Sequence, residues 1–94
     1  MNRPPTVYVR RQSIAVRDMD GAAVLVDEKK HLYFAVNRVG ARIWNLLEEP
    51  KSMESIVGVL AREFAIGDDE CRSQTEQFLR QLAVRELVST RTTG

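Results

Sequence analysis

The side chains able to do acid–base, nucleophilic or metal chemistry are few in this sequence, and they are scattered. His31 is the only histidine and stands beside Lys29 and Lys30 in a polar turn, where it reads as a surface residue and not as a general base. Cys71 is the only cysteine. Zinc takes three or four ligands at suitable spacing, and one Cys with one His cannot supply them unaided. A thiol at a helix N-terminus can be activated as a nucleophile, but no His or Lys lies close in sequence to Cys71. On an apolar helical stripe it is expected to pack as a small hydrophobe. The carboxylates of Glu48-Glu49 and Asp68-Asp69 are neighbours in sequence. Adjacent residues on a helix point apart, so these read as solvated charges at helix ends. No G-x-G-x-x-G, Walker loop or G-x-S-x-G occurs. The residues predict no catalytic site, no metal site and no cofactor.

Composition narrows the remaining classes. Ninety-four residues support one hydrophobic core. Apolar residues make up 44% and charged residues 29%, a balance that suits a soluble globular domain. Lys plus Arg number 14 and Asp plus Glu 13, without the basic excess of a dedicated nucleic-acid binder. Apolar runs are too short for a membrane span, and Met1-Asn2-Arg3-Pro4-Pro5 offers no signal-peptide core. A lone cysteine cannot form an internal disulfide. These features together predict a cytoplasmic protein with neither nucleic acid nor membrane as partner.

The elements that must position any site follow from periodicity. Residues 1–12 read as a loose N-terminal arm or a short edge strand at Val7-Tyr8-Val9, residues 13–90 as a single domain, and residues 91–94 as a frayed tail. Ile14-Ala15-Val16, Ala22 to Val26 and His31 to Val36 are extended segments separated by the polar turns Asp18–Gly21 and Asp27–Lys30, an antiparallel meander. From Asn37, a good N-cap, the period becomes helical, with Val39, Ile43, Leu46 and Leu47 on one stripe and Pro50 forcing a stop. Ser52 caps a second helix whose apolar face is Met53, Ile56, Val57, Leu60, Ala61 and Phe64. Gly58 interrupts that helix at a cost of about 1 kcal/mol relative to Ala, for which close packing of a neighbour is the expected reason. Asp68, Asp69 and Glu70 begin a third helix that carries Cys71, Thr75, Phe78 and Leu82 on one stripe. Leu87-Val88-Ser89 reads as a short terminal strand or an extended tail. The fold class is α+β, winged-helix-like, with a three-stranded antiparallel sheet followed by three helices.

Helix-turn-helix proteins share this helical arrangement, so duplex DNA binding is an alternative. The third helix carries Arg72, Arg80 and Arg85 with Gln74, Gln77 and Gln81, the residue types that contact phosphates and base edges. Asp68, Asp69, Glu70, Glu76 and Glu86 cancel that charge, which weighs against it.

Over Gly21 to Val88 an ordered series of residues resembles the PqqD-like family of peptide recognition domains. It comprises Val24-Leu25-Val26-Asp27, then Tyr33-Phe34-Ala35-Val36-Asn37, then Val39-Gly40-Ala41-Arg42-Ile43-Trp44-Asn45-Leu46-Leu47. Ser55-Ile56-Val57, Leu60, Glu63-Phe64, Cys71, Phe78-Leu79, Leu82 and Leu87-Val88 complete it. The stretch Asn-x-x-Gly-x-x-Ile-Trp is its most specific part. The resemblance implies a non-catalytic adaptor that binds the leader peptide of a ribosomally made precursor and presents it to tailoring enzymes. The pyrroloquinoline quinone members of the family tend to carry Ala-Pro-Glu before the third strand, where this chain has Glu28-Lys29-Lys30. That departure, with Cys71 opening the last helix, makes the chain look more like the free-standing members of lasso-peptide biosynthesis. The implied partners are then a leader peptidase and a cyclase; the alternative is a radical S-adenosylmethionine enzyme.

The resemblance also implies where a peptide would sit. In the family the third strand accepts it as an added strand, and the third helix forms the other wall. A free strand edge presents unpaired N–H and C=O groups, so backbone bonding gives affinity and side-chain pockets give specificity. Along the strand, Leu32, Phe34 and Val36 alternate with Tyr33 and Ala35, the first set expected to face the core. On the helix, the stripe Arg72, Glu76, Leu79 and Ala83 flanks the core stripe and is expected to form the groove wall. The expected peptide-binding residues are Leu32, Tyr33, Phe34, Ala35, Val36, Arg72, Thr75, Glu76 and Leu79.

Overall fold

The meander expected from the sequence is present in the computed structural model, which describes residues 6–92. Its strands are β2 (Ile14–Met19), β3 (Ala22–Asp27) and β4 (Leu32–Val36), paired antiparallel in the order β2-β3-β4. β2 and β3 join through the two residues Asp20 and Gly21, both at positive φ (60° and 96°). A two-residue hairpin needs that conformation to match the strand twist, and Asp-Gly tolerates it. The next loop is tied by Asp27, whose Oδ1 accepts from the Lys30 amide at 3.2 Å. His31 ends that loop in the left-handed region (φ 55°) and is exposed, so the strand begins one residue later than its composition suggests. Register places Ala23 opposite Val36 and Leu25 opposite Phe34, so these four face the helices, while Tyr33 and Ala35 project from the other face.

Of the two readings of residues 1–12, a loose arm or a short edge strand, the part that the structure describes is a strand, and an inner one rather than an edge. β1 (Thr6–Arg10) is the middle strand of a second antiparallel sheet, between β5 (Lys51–Ser52) and β6 (Val88–Thr92). Its whole length pairs with β6, from Thr6↔Thr92 to Arg10↔Val88. Arg91 and Thr92, read as part of a frayed tail, are therefore in the ladder; Met1 to Pro5, Thr93 and Gly94 lie outside the described residues. Two arginines fasten this sheet to the rest. Arg10 donates to the Trp44 carbonyl at 3.0 Å and lies over the indole, 5.4 Å from its centroid. Arg11 donates to buried Asp27 at 3.0 Å, and its backbone amide donates to the Leu87 carbonyl at 2.9 Å.

The helices are α1 (Arg38–Leu46), α2 (Met53–Phe64) and α3 (Asp68–Val84). Asn37 and Ser52 cap the first two, accepting from the amides of Gly40 and Ser55. Gly40 is buried, and a side chain there would meet the Phe78 ring at 3.0 Å and Val36 at 3.1 Å. Its role is to let α1 approach β4 and α3 at once. Gly58 has a different environment from the one expected: a Cβ there would meet nothing within 4 Å, so no neighbour requires it. α2 ends at Ala65, which takes the left-handed conformation (φ 52°), two residues before Gly67. The core lies between the meander and the helices, built on Leu25, Ile43, Trp44, Leu47, Ile56, Leu60, Leu79 and Leu82, each at most 1% exposed. Full burial of each such side chain contributes roughly 1.5–3 kcal/mol.

Candidate functional site

β4 is the outer strand of its sheet, so β3 pairs one edge and no strand pairs the other among the described residues. α3 runs beside it, and side chains bridge the interval between them. The Phe34 and Phe78 rings stack with centroids 6.2 Å apart and planes 14° from parallel. The Arg85 guanidinium also lies over Phe34, 4.6 Å from its ring centroid. Two hollows flank the stack. One, toward the start of β4, is lined by Leu25, Asp27, Leu32, Tyr33, Phe34, Arg85 and Leu87. The other, of about 210 Å³ and just past the end of β4, is walled by Asn37, Val39, Gly40 and Ile43 on one side and Gln74, Gln77, Phe78 and Gln81 on the other.

The strand residues expected at the site form β4 itself, and their burial follows the expected alternation with one change. Val36 is buried and Phe34 half-buried, as inner-face positions should be, but Leu32 is 55% exposed at the open end of the sheet. It belongs to the rim and not to the core. Tyr33 is 73% exposed and Ala35 is exposed on the outer face.

The helix residues expected at the site lie elsewhere, two in the core and two on the flank of α3 away from β4. Leu79 is 1% exposed and packs in the core with Cys71 and Leu82. Thr75 is fully buried, its hydroxyl without a hydrogen-bond partner among the described residues. Arg72 forms a bidentate ion pair with Glu54 of α2, and Glu76 pairs with Arg80 on its own helix at 2.9 Å. The hydrogen bonds and charge of Arg72 hold the Glu54 carboxyl below the ordinary carboxylate range. Arg72 thus marks the side of α3 that meets α2, and Glu76 lies on the same flank, in solvent. The side toward β4 is the opposite flank, where Gln74, Phe78, Gln81 and Arg85 recur at i, i+4, i+7 and i+11. Both flanks show in the sequence as stripes beside the core stripe; nothing local says which one β4 meets. Phe78, read as core, is half-buried at the groove, and Leu79, read as groove, is core.

Among the described residues no three His, Cys, Asp or Glu side chains converge, and no helix is long and apolar enough to cross a membrane. Cys71 is 1% exposed with its thiol 3.8 Å from the Val57 carbonyl. What the fold and this surface define is a winged-helix-like α+β domain with one open sheet edge beside a helix.

The chain belongs to the family described as coenzyme PQQ synthesis protein D (PqqD), whose profile matches residues 22–88. Among solved structures it is similar to TbiB1 in complex with the TbiA(beta) leader peptide, at 32% identity and TM-score 0.76, over 86% of this chain and 94% of that one. It is also similar in fold to lasso peptide synthetase B1 complexed with its leader peptide, at 20% identity and TM-score 0.72, over 87% and 96% of the two chains. A third likeness in fold, at 13% identity and TM-score 0.73 over 88% of each chain, is to the PqqD truncation of Methylobacterium extorquens PqqCD, a stand-alone recognition element for ribosomally synthesised, post-translationally modified peptides. No curated protein matches the chain.

Proposed function

We propose that this chain is a non-catalytic adaptor that binds the leader peptide of a ribosomally made precursor and presents it to tailoring enzymes. The observation that carries the reading is the unpaired edge of β4 facing the side of α3 that bears Phe78. An extended peptide satisfies that edge with its own backbone groups, and its alternate side chains fall into the hollows on either side of the Phe34–Phe78 stack. TbiB1, whose structure holds a leader peptide, is similar over nearly its whole length; with Glu28-Lys29-Lys30 before β4 in place of Ala-Pro-Glu, the pathway reads as lasso-peptide biosynthesis, with a leader peptidase and a cyclase as the enzymes served. A buried, unpaired Cys71 suits a reducing cytoplasmic setting.

Candidate leader peptides titrated into the protein, with backbone amide exchange followed residue by residue, test the reading. Exchange should slow along Leu32–Val36 as the edge N–H groups gain partners. Protection confined to Met53–Phe64, or tight sequence-dependent binding of duplex DNA at physiological salt, would count against it.

A further inference from the structure

Arg85 is the cation at the groove that no carboxylate engages among the described residues. Two basic side chains near it are committed: Arg11 to Asp27 at 3.0 Å and Lys30 to Glu86 at 3.4 Å. Asp27, the acid lining the same hollow, is further occupied by the Lys30 amide. Elsewhere on α3, Arg72 is held by Glu54 and Arg80 by Glu76. The Arg85 side chain has no ion-pair or hydrogen-bond partner among the described residues, yet it is held in place by its guanidinium lying over the Phe34 ring. A cation over a ring uses its planar face; the N–H edges stay free for a carboxylate, which a guanidinium engages bidentately.

Leu32 and Phe34 share the inner face of β4. A strand added to β4 sends every second side chain to that same face. From this we infer that Arg85 reads an Asp or Glu side chain of the bound peptide, at the inner-face position beside Leu32 and Phe34, and so fixes the register of the added strand. The inference rests on the peptide-binding reading above. Backbone pairing alone sets register weakly, and a one-residue slip sends every side chain to the opposite face. A single charge anchor, in a groove whose one acid is already engaged by Arg11 and the Lys30 amide, removes that ambiguity. The bland account of Arg85 is a cation favoured at the C-terminal end of a helix, which makes no demand on a ligand.

Selection of random dodecapeptides on the parent protein, on Arg85→Gln and on Arg85→Glu separates the two. Arg85 is exposed, so these variants should keep the parent's melting profile. Peptides that bind the parent and slow exchange at Leu32–Val36 should carry Asp or Glu at one fixed place in their apolar pattern. Arg85→Gln should select the same apolar pattern without a charge preference, and Arg85→Glu should select Lys or Arg at that place. Replacing the acid by its amide in one selected peptide should weaken parental binding roughly tenfold, in a salt-dependent way, and leave Arg85→Gln binding unchanged. Peptides that protect β4 without an acidic preference, or with one that survives in Arg85→Glu, overturn the inference alone. Pools in which no peptide protects β4 overturn the reading beneath it, and the inference with it.

Discussion

Gly40 shows how a residue without a side chain shapes the groove. It lies on α1, lines the hollow past the end of β4, and is needed because Phe78 and Val36 close around it at 3.0 and 3.1 Å. Asn37 holds the same turn by accepting from the Gly40 amide at 2.9 Å, while Ile43 and Trp44 lock the helix into the core. Each member of the Asn-x-x-Gly-x-x-Ile-Trp stretch therefore has a separate physical task. Gly40→Ala should push the Phe78 ring away from its stack on Phe34 and destabilise the fold by roughly 1–3 kcal/mol, the usual cost of overpacking. Peptide affinity should fall with it. Urea unfolding and the chemical shifts of the Phe34 ring protons check this, and an unchanged Phe34 environment would contradict the packing account.

At the scale of elements, α2 is joined to both of its neighbours by exposed bidentate ion pairs, Arg42–Glu63 to α1 and Arg72–Glu54 to α3. In each, hydrogen bonding to the arginine is the main reason that the glutamate carboxyl is held below its ordinary range. A carboxylate whose folded value is depressed stabilises the protein at pH above its unfolded value, and that contribution is lost as pH falls through the folded value. Stability should therefore be flat near neutrality and decline below the ordinary carboxylate range. Because the pairs are exposed, the decline should shrink in high salt. Denaturant midpoints across pH for the parent and for Glu54→Gln with Glu63→Gln measure it; identical acid profiles would remove these pairs as the cause. Gly58, on the exposed side of the same helix, gives the opposite sign. An alanine there meets nothing within 4 Å, so Gly58→Ala should raise stability by about 1 kcal/mol through helix propensity. A lowered melting temperature would mean that this glycine has a role the packing does not reveal.

The molecule as a whole is closed by its second sheet. β1 joins the segment between α1 and α2, through β5, to the C-terminal strand β6. Arg10 on Trp44 and Arg11 on Asp27 then tie that sheet to α1 and to the meander. The family profile begins at residue 22, yet the five-residue pairing with β6 and both arginine contacts come from before it. Removing residues 1–11 should cost several kcal/mol, since each lost hydrogen bond contributes about 0.5–1.5 kcal/mol and Asp27 would lose its charged partner while buried. Equilibrium unfolding of the shortened chain should show a clearly lower midpoint, and parental stability would show the second sheet to be dispensable.

Local chemistry sets much of this architecture. Asp20-Gly21 permits the tight hairpin, Asn37 and Ser52 start helices, Pro50 stops one, and alternation over Leu32–Val36 assigns inner and outer faces of the strand. These features depend on a residue and its near neighbours, so their pattern is carried by the sequence itself. The pairing of the second sheet is not legible there: Val7–Val9 and Leu87–Ser89 read as extended, but Lys51–Ser52 is too short to show alternation and Thr6–Arg10 needs β6, at the far end of the chain, to become a middle strand. Nor is the flank of α3 that meets β4. The stripe through Arg72 and Glu76 and the stripe through Gln74, Phe78, Gln81 and Arg85 lie symmetrically beside one core stripe, and periodicity treats them alike. Docking decides between them: α2 takes the first, where Arg72 finds Glu54, and β4 takes the second, where Phe78 stacks on Phe34. The exchange of Phe78 and Leu79 has the same origin, since neighbours about 100° apart on one broad apolar arc are sorted only by the elements that close over it.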